Sequence, residues 1–126
     1  MIKLIDFSIK YSRFFFILWL SIIFYGCLLP SNDIPKVRIP NIDKIVHLCF
    51  YVGFTYLLRG ATIKKLKATY VLIIALGFGI GIEVLQQVLP VNRSASIADV
   101  AANTIGAIIG LVLFKILYEK SRLSKS

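Results

Sequence analysis

The stretch from about Thr69 to Leu89, closed by Pro90, limits this chain's fold more than any other. It is apolar over nearly its whole length and holds a single charged residue, Glu83. A run of about 20 such residues is what an α-helix needs to cross the roughly 30 Å hydrocarbon layer of a bilayer. Three further runs approach that length. The first goes from about Arg13 to Leu29 and is stopped by Pro30. The second, from about Lys44 to Arg59, is short and ends before Gly60, and the last runs from about Ser96 to Tyr118. With 58% hydrophobic and only 17% charged residues, the chain reads as an integral membrane protein and not as a soluble domain. The expected fold is all-α: one domain, residues 1–126, forming a bundle of four transmembrane helices over about 13–29, 44–59, 69–89 and 96–118.

The basic residues orient these spans. Eleven Lys and Arg lie in the N-terminus, the middle loop and the tail, against four (Lys36, Arg38, Lys44 and Arg93) on the opposite side. Cytoplasmic loops carry the excess, so both termini are expected in the cytoplasm. The formal net charge of +9 fits anionic lipid better than nucleic acid, because no aromatic-basic RNA motif or zinc spacing accompanies it. The first run could be taken for a signal peptide, but "FYGC" places bulky Tyr25 where a cleavage site wants small residues. It reads as a retained anchor. Cys27 and Cys49 read as small buried apolar residues and not as a disulfide framework.

Against this background the segment "IEVLQQVLPVNRSASIADVAAN" is unexpectedly polar. Together with the start of the second span it brings Asp43, Lys44, His47, Glu83, Gln86, Gln87, Arg93, Asp99 and Asn103 to one side of the membrane. Asp43, His47 and Tyr51 share a helix face at spacing i, i+4, i+8, as do Asp99 and Asn103 at i, i+4. Ionisable groups in a span cost about 2.5–3.5 kcal/mol on insertion scales and so face protein or water. One polar cleft open to the outer side follows.

Each residue also has a plainer role. "SIAD" has capping-box spacing, so Asp99 could satisfy free backbone N–H groups at the last helix start, and Asp43 could cap the second helix. Glu83 lies too deep for a cap and needs a partner: Arg93, His47 or Lys44. His47, the only histidine, shares its face with Asp43, the carboxylate–imidazole arrangement of many metal and acid–base sites. Lys44 either snorkels to the interface or meets a phosphate as a point charge. Arg93 suits a phosphate or carboxylate bidentately. Ala102, Gly106 and Gly110, and on the preceding helix Gly77, Gly79 and Gly81, read as small-residue packing positions.

In order and spacing, "DKIVH", "EVLQ" and "RSASIADVAANTIGAIIG" resemble the VanZ-like family of small membrane proteins. The matching positions are Asp43, Lys44, His47, Glu83, Gln86, Arg93, Asp99, Asn103, Gly106 and Gly110, over about residues 15 to 118. The resemblance implies a multi-pass protein of the bacterial cytoplasmic (inner) membrane with a cell-envelope role, associated in one member with resistance to the glycopeptide teicoplanin. The leading expectation is a headgroup site for an anionic membrane lipid, formed by Asp43, Lys44, His47, Glu83, Gln86, Arg93, Asp99 and Asn103. The resemblance adds a polyprenyl-phosphate-linked precursor as ligand. The alternative is a membrane enzyme with His47, Glu83 and Asp99 as catalytic candidates, or with a divalent metal at Asp43, His47, Glu83 and Asp99. No organic cofactor and no nucleic acid are expected, a homo-oligomer is compatible, and no nucleophile motif stands out. Transport is disfavoured because the cytoplasmic half lacks polar residues.

Overall fold

The structure, a computed structural model, describes residues 1–33, 39–63, 65–91 and 96–125. Among these residues it is helical throughout. The helices are α1 (Ile2–Lys10), α2 (Ser12–Leu28), α3 (Ile42–Ala61), α4 (Ala68–Val88) and α5 (Ile97–Leu123), with a 3₁₀ turn at Ser31–Asp33. The expected spans map onto α2 to α5, each present within a few residues of the boundary that the prolines and charges mark. Leu89 leaves α4 in an extended conformation, as a residue ahead of proline does.

The polarity of the bundle is inverted relative to a water-soluble protein. Ile73, Ile80, Ile105 and Val112 are exposed, while His47, Glu83, Gln86 and Asn103 are all at most 4% exposed. Apolar groups outside and polar groups inside is the arrangement lipid favours. Among the described residues, α4 and α5, at 21 and 27 residues, are the two helices long and apolar enough to cross a membrane. α1 and α2, bent by 75° at their break, make a third if taken as one span.

Four clearly apolar crossings are therefore not what the fold shows, and α3 is the reason. It has 20 residues, but Asp43, Lys44, His47 and Arg59 lie on it. α3 can carry this polarity because it packs against all four other helices, most extensively against α5. Protein replaces lipid around much of its surface.

The α3–α5 contact is built on small residues. A methyl group added at Gly106 would overlap the Leu48 carbonyl, and one at Gly110 would overlap the Val52 carbonyl and the Thr55 hydroxyl. The backbones thus meet closely enough for Thr55 Oγ1 to donate to the Ala107 carbonyl at 2.8 Å. Trp19 ties α2 to α3 in a related way, donating from Nε1 to the Phe50 carbonyl at 2.8 Å while its ring fills the space left by Gly53. Tyr51, Phe54 and Phe78 stack through the centre, with ring centroids 5.7 Å and 4.9 Å apart along the series. On α4 only Gly79 serves packing. Gly77 and Gly81 meet nothing within 4 Å, which corrects their reading as contact glycines.

α1 closes the end of the bundle opposite the polar cluster. Asp6 accepts from the Ser121 hydroxyl and pairs with Lys125 at 2.8 Å, and Ser8 bonds Tyr56 at 2.9 Å. At the bend, Ser12 Oγ donates to the Ile9 carbonyl at 2.8 Å.

Candidate functional site

Helix order brings the start of α3, the end of α4 and the start of α5 to the same end of the bundle. Three local features fix where these helices begin and stop. Asn41 precedes α3 in the left-handed region at φ 56°, a conformation asparagine tolerates better than most residues. α4 stops two residues before Pro90. Ser96 caps α5, its Oγ accepting the Ala98 N–H at 3.2 Å. The cap of α3 is thus Asn41, while Asp43 sits in the first turn, where a negative charge suits the helix dipole.

His47, Glu83 and Asp99 meet inside this end. Each offers one possible ligand atom, and the three atoms lie within 4.8 Å of one another. His47 Nδ1 is 4.0 Å from Glu83 Oε1 and 3.0 Å from Asn103 Oδ1. With the Asn103 oxygen accepting, Nδ1 is the donor of this bond. The imidazole is therefore oriented by α5, although the spacing along α3 pointed to Asp43. Asp43 faces outward instead and pairs with Lys44 at 2.9 Å. Lys44 also reaches Asp99 Oδ1 at 3.7 Å, forming a half-buried rim between the buried cluster and the exterior. Asp43 is accordingly not a member of the buried metal-type cluster.

Two residues have structural duties that the sequence did not reveal. Glu83 Oε2 accepts the Ser96 backbone N–H at 3.3 Å, taking a place that capping-box spacing had reserved for Asp99. Asp99 Oδ1, by contrast, has no hydrogen-bond partner among the described residues. Gln86 Nε2 donates at 2.7 Å to the Cys27 carbonyl, covering an acceptor left over at the end of α2. Gln87 is exposed. One turn below His47, the Tyr51 hydroxyl and Asn103 Nδ2 flank Gly79, where an added Cβ would lie 3.1 and 3.3 Å from them. Tyr51 was legible as a face-mate of His47 but carries no site role in the motif pattern. Arg93, expected above the cleft, lies outside the described residues, as do Lys36 and Arg38 of the first polar loop.

Cys27 is buried as expected, whereas Cys49 is exposed on the flank of α3, a correction to its reading as a buried residue.

Beside the cluster a groove of about 460 Å³ runs between α2 and α4, lined by Phe24, Phe78, Gly81, Ile82, Val84 and Leu85. Its walls are almost wholly apolar, and Gly81 contributes open space.

The family model described as VanZ/LLP1 matches residues 4–118. No curated protein and no solved structure matches the chain.

Proposed function

This chain belongs to the VanZ/LLP1 family, and on that footing we propose that it binds the phosphorylated headgroup of an envelope lipid at the Lys44 end of the bundle. The protein crosses the bacterial cytoplasmic membrane four times, with both termini in the cytoplasm and the polar end at the outer leaflet. The asymmetry of basic residues supports that orientation, since the polar end holds four of the fifteen. The observation that carries the reading is the burial of His47, Glu83, Asp99 and Asn103 within a helix bundle whose exterior is apolar. Polar groups are costly in a membrane, and a cluster drawn from three helices fits a ligand site at headgroup depth. Lys44 meets the phosphate, with Arg93 as the second cation that the sequence offers. The adjoining groove with Phe24, Phe78 and Gly81 takes the acyl or polyprenyl chain. Holding a lipid-linked cell-wall precursor in this way would alter its exposure to glycopeptides such as teicoplanin.

Native mass spectrometry of the chain taken from bacterial membranes tests the reading. A phosphorylated lipid should stay on the unmodified chain and be lost from Arg93→Ala and Lys44→Ala. Identical bulk lipids on all three would sink it.

One observation favours a second reading, a membrane enzyme acting on the same class of lipid. Asp99 Oδ1 is buried, accepts no hydrogen bond from a described residue and faces the Lys44 ammonium at 3.7 Å, which puts a carboxylate beside the cation proposed to hold the headgroup. Turnover of a polyprenyl-phosphate-linked substrate, abolished by Asp99→Asn, separates catalysis from binding.

A further inference from the structure

The end of the bundle opposite the polar cluster gathers basic residues at a bend in the chain. α1 leaves α2 at 75°, so an α2 that crosses the membrane sends α1 nearly along its surface. α2 alone has 17 residues and is about 25 Å long, the lower limit of a spanning helix. The faces of α1 divide as a helix in the interface requires. Asp6 and Ser8 turn to the bundle, bonded to Ser121, Lys125 and Tyr56. Leu4 and Phe7 turn outward and are 71% and 49% exposed. Tyr11 follows at the bend, its ring centroid 4.8 Å from that of Phe7 and 5.2 Å from the Lys10 ammonium. Apolar and aromatic groups beside lysine suit the layer where acyl chains meet headgroups.

At the bend a groove of about 310 Å³ opens between α1, α2 and the end of α3. Lys10, Arg13 and Lys65 line it from three different segments, and among the described residues no acidic one does. None of the three pairs with a carboxylate among those residues, and Asp6, the only acid of α1, is taken by Lys125. Arg59 nearby is engaged otherwise, donating to the Ile63 and Leu66 carbonyls at 3.3 and 3.0 Å. Fixed parts shape the groove. Ser12 Oγ holds the Ile9 carbonyl, and an added Cβ at Gly60 would lie 2.9 Å from the Ser12 Cβ. A bias of basic residues toward the cytoplasm asks only that they lie on that side. It does not ask three of them to converge on one cavity, where like charges repel until an anion joins them.

We propose that this groove binds the phosphate of an anionic membrane lipid, with α1 lying in the headgroup layer of the same leaflet. Lys10, Arg13 and Lys65 surround the phosphate, and Leu4, Phe7 and Tyr11 dip into the acyl chains beside it. The site is separate from the Lys44 end and takes from that reading only the orientation, which makes this leaflet the cytoplasmic one. Each basic residue at an anionic surface strengthens association about five-fold, so the three together are worth on the order of a hundred-fold.

The full chain carrying Lys44→Ala, so that the opposite end does not contribute, is titrated in detergent with dioleoyl phosphatidylglycerol or dioleoyl phosphatidylcholine. Native mass spectrometry reads the lipid retained. The phosphatidylglycerol should be preferred, and the preference should fall by on the order of ten-fold or more when Lys10, Arg13 and Lys65 are all replaced by glutamine. Replacing Lys115, Lys120 and Arg122 of α5 by glutamine removes the same charge and should leave the preference unchanged. Equal retention of the two lipids, or equal losses in the two triple variants, overturns the proposal. A second measurement keeps the basic groove intact. In bilayers, a nitroxide attached at Leu4→Cys, with Cys27 and Cys49 replaced by serine, reports its depth through collisions with oxygen and with a water-soluble nickel complex. The label should lie just below the phosphates. A label in water or at the bilayer centre overturns the proposal as well. Because Lys44 is absent from the lipid titrations, their failure leaves the headgroup reading at the other end standing.

Discussion

Glu83 reaches across from α4 to accept the Ser96 backbone N–H of α5 at 3.3 Å, joining the end of one helix to the start of the next. The side chain is therefore both a member of the buried cluster and a tie between α4 and the start of α5. The two roles come apart on substitution. Glu83→Gln keeps an oxygen for Ser96 and removes the charge, while Glu83→Ala removes both. Alanine should lower the unfolding free energy by about 1–3 kcal/mol, the usual cost of orphaning a buried group. Glutamine should cost clearly less. Thermal unfolding in detergent compares them, and equal losses would show that the charge and not the hydrogen bond ties α4 to α5.

The close meeting of α3 and α5 predicts opposite results at glycines that look alike in sequence. Gly106→Ala and Gly110→Ala force a methyl into the Leu48 and Val52 carbonyls, which belong to backbone and cannot swing aside. Each should destabilise by about 1–3 kcal/mol, as overpacking does. Gly77→Ala meets open space and should be neutral or stabilising by up to about 1 kcal/mol through helix propensity. Unfolding midpoints of the three variants are the measurement.

Gly81 tests the groove. Its missing side chain leaves room beside Phe24 and Phe78, so Gly81→Leu should fill that room without straining the helix. The expected outcome is an unfolding midpoint at or above that of the unmodified chain, with several-fold less co-purifying lipid by native mass spectrometry. Undiminished lipid would mean that the chain of the ligand lies elsewhere.

Topology is checked with single cysteines in a background where Cys27 and Cys49 are replaced by serine. With a membrane-impermeant maleimide on intact cells, a cysteine at Asn32 should label. Cysteines at Lys65 and Ser124 should label only after the cells are opened. Labelling of Asn32 only in opened cells would reverse the proposed orientation.

The helices were legible because prolines at 30 and 90 and the basic loop stop apolar runs of spanning length, and those are local signals. The meeting of His47, Glu83 and Asp99 was legible as well, since helical spacing turns each toward one end of the bundle. Partner choice within the cluster was not. Spacing along α3 joined His47 to Asp43, and spacing along α5 made Asp99 a cap. The actual pairings, His47 with Asn103, Glu83 with the Ser96 N–H and Asp99 with Lys44, depend on how far each helix is rotated against its neighbour. The same rotation separates Gly79 from Gly77 and Gly81, and Cys27 from Cys49, although composition treats them alike. The bend at Tyr11 carries no glycine or proline to announce it, and it shows itself only where Ser12 takes the Ile9 carbonyl.

The central position of α3 bears on how the protein is made. α3 is the least lipid-compatible of the long helices, and the groups that satisfy it come from later in the chain: Asn103 follows His47 by 56 residues. At about 5–20 residues per second, translation would leave His47 without that partner for roughly 3–11 s. Through this interval α3 has only α1, α2 and then α4 beside it. Its polar face must wait in the insertion machinery or at the membrane surface until α5 emerges, so α5 completes the burial of α3.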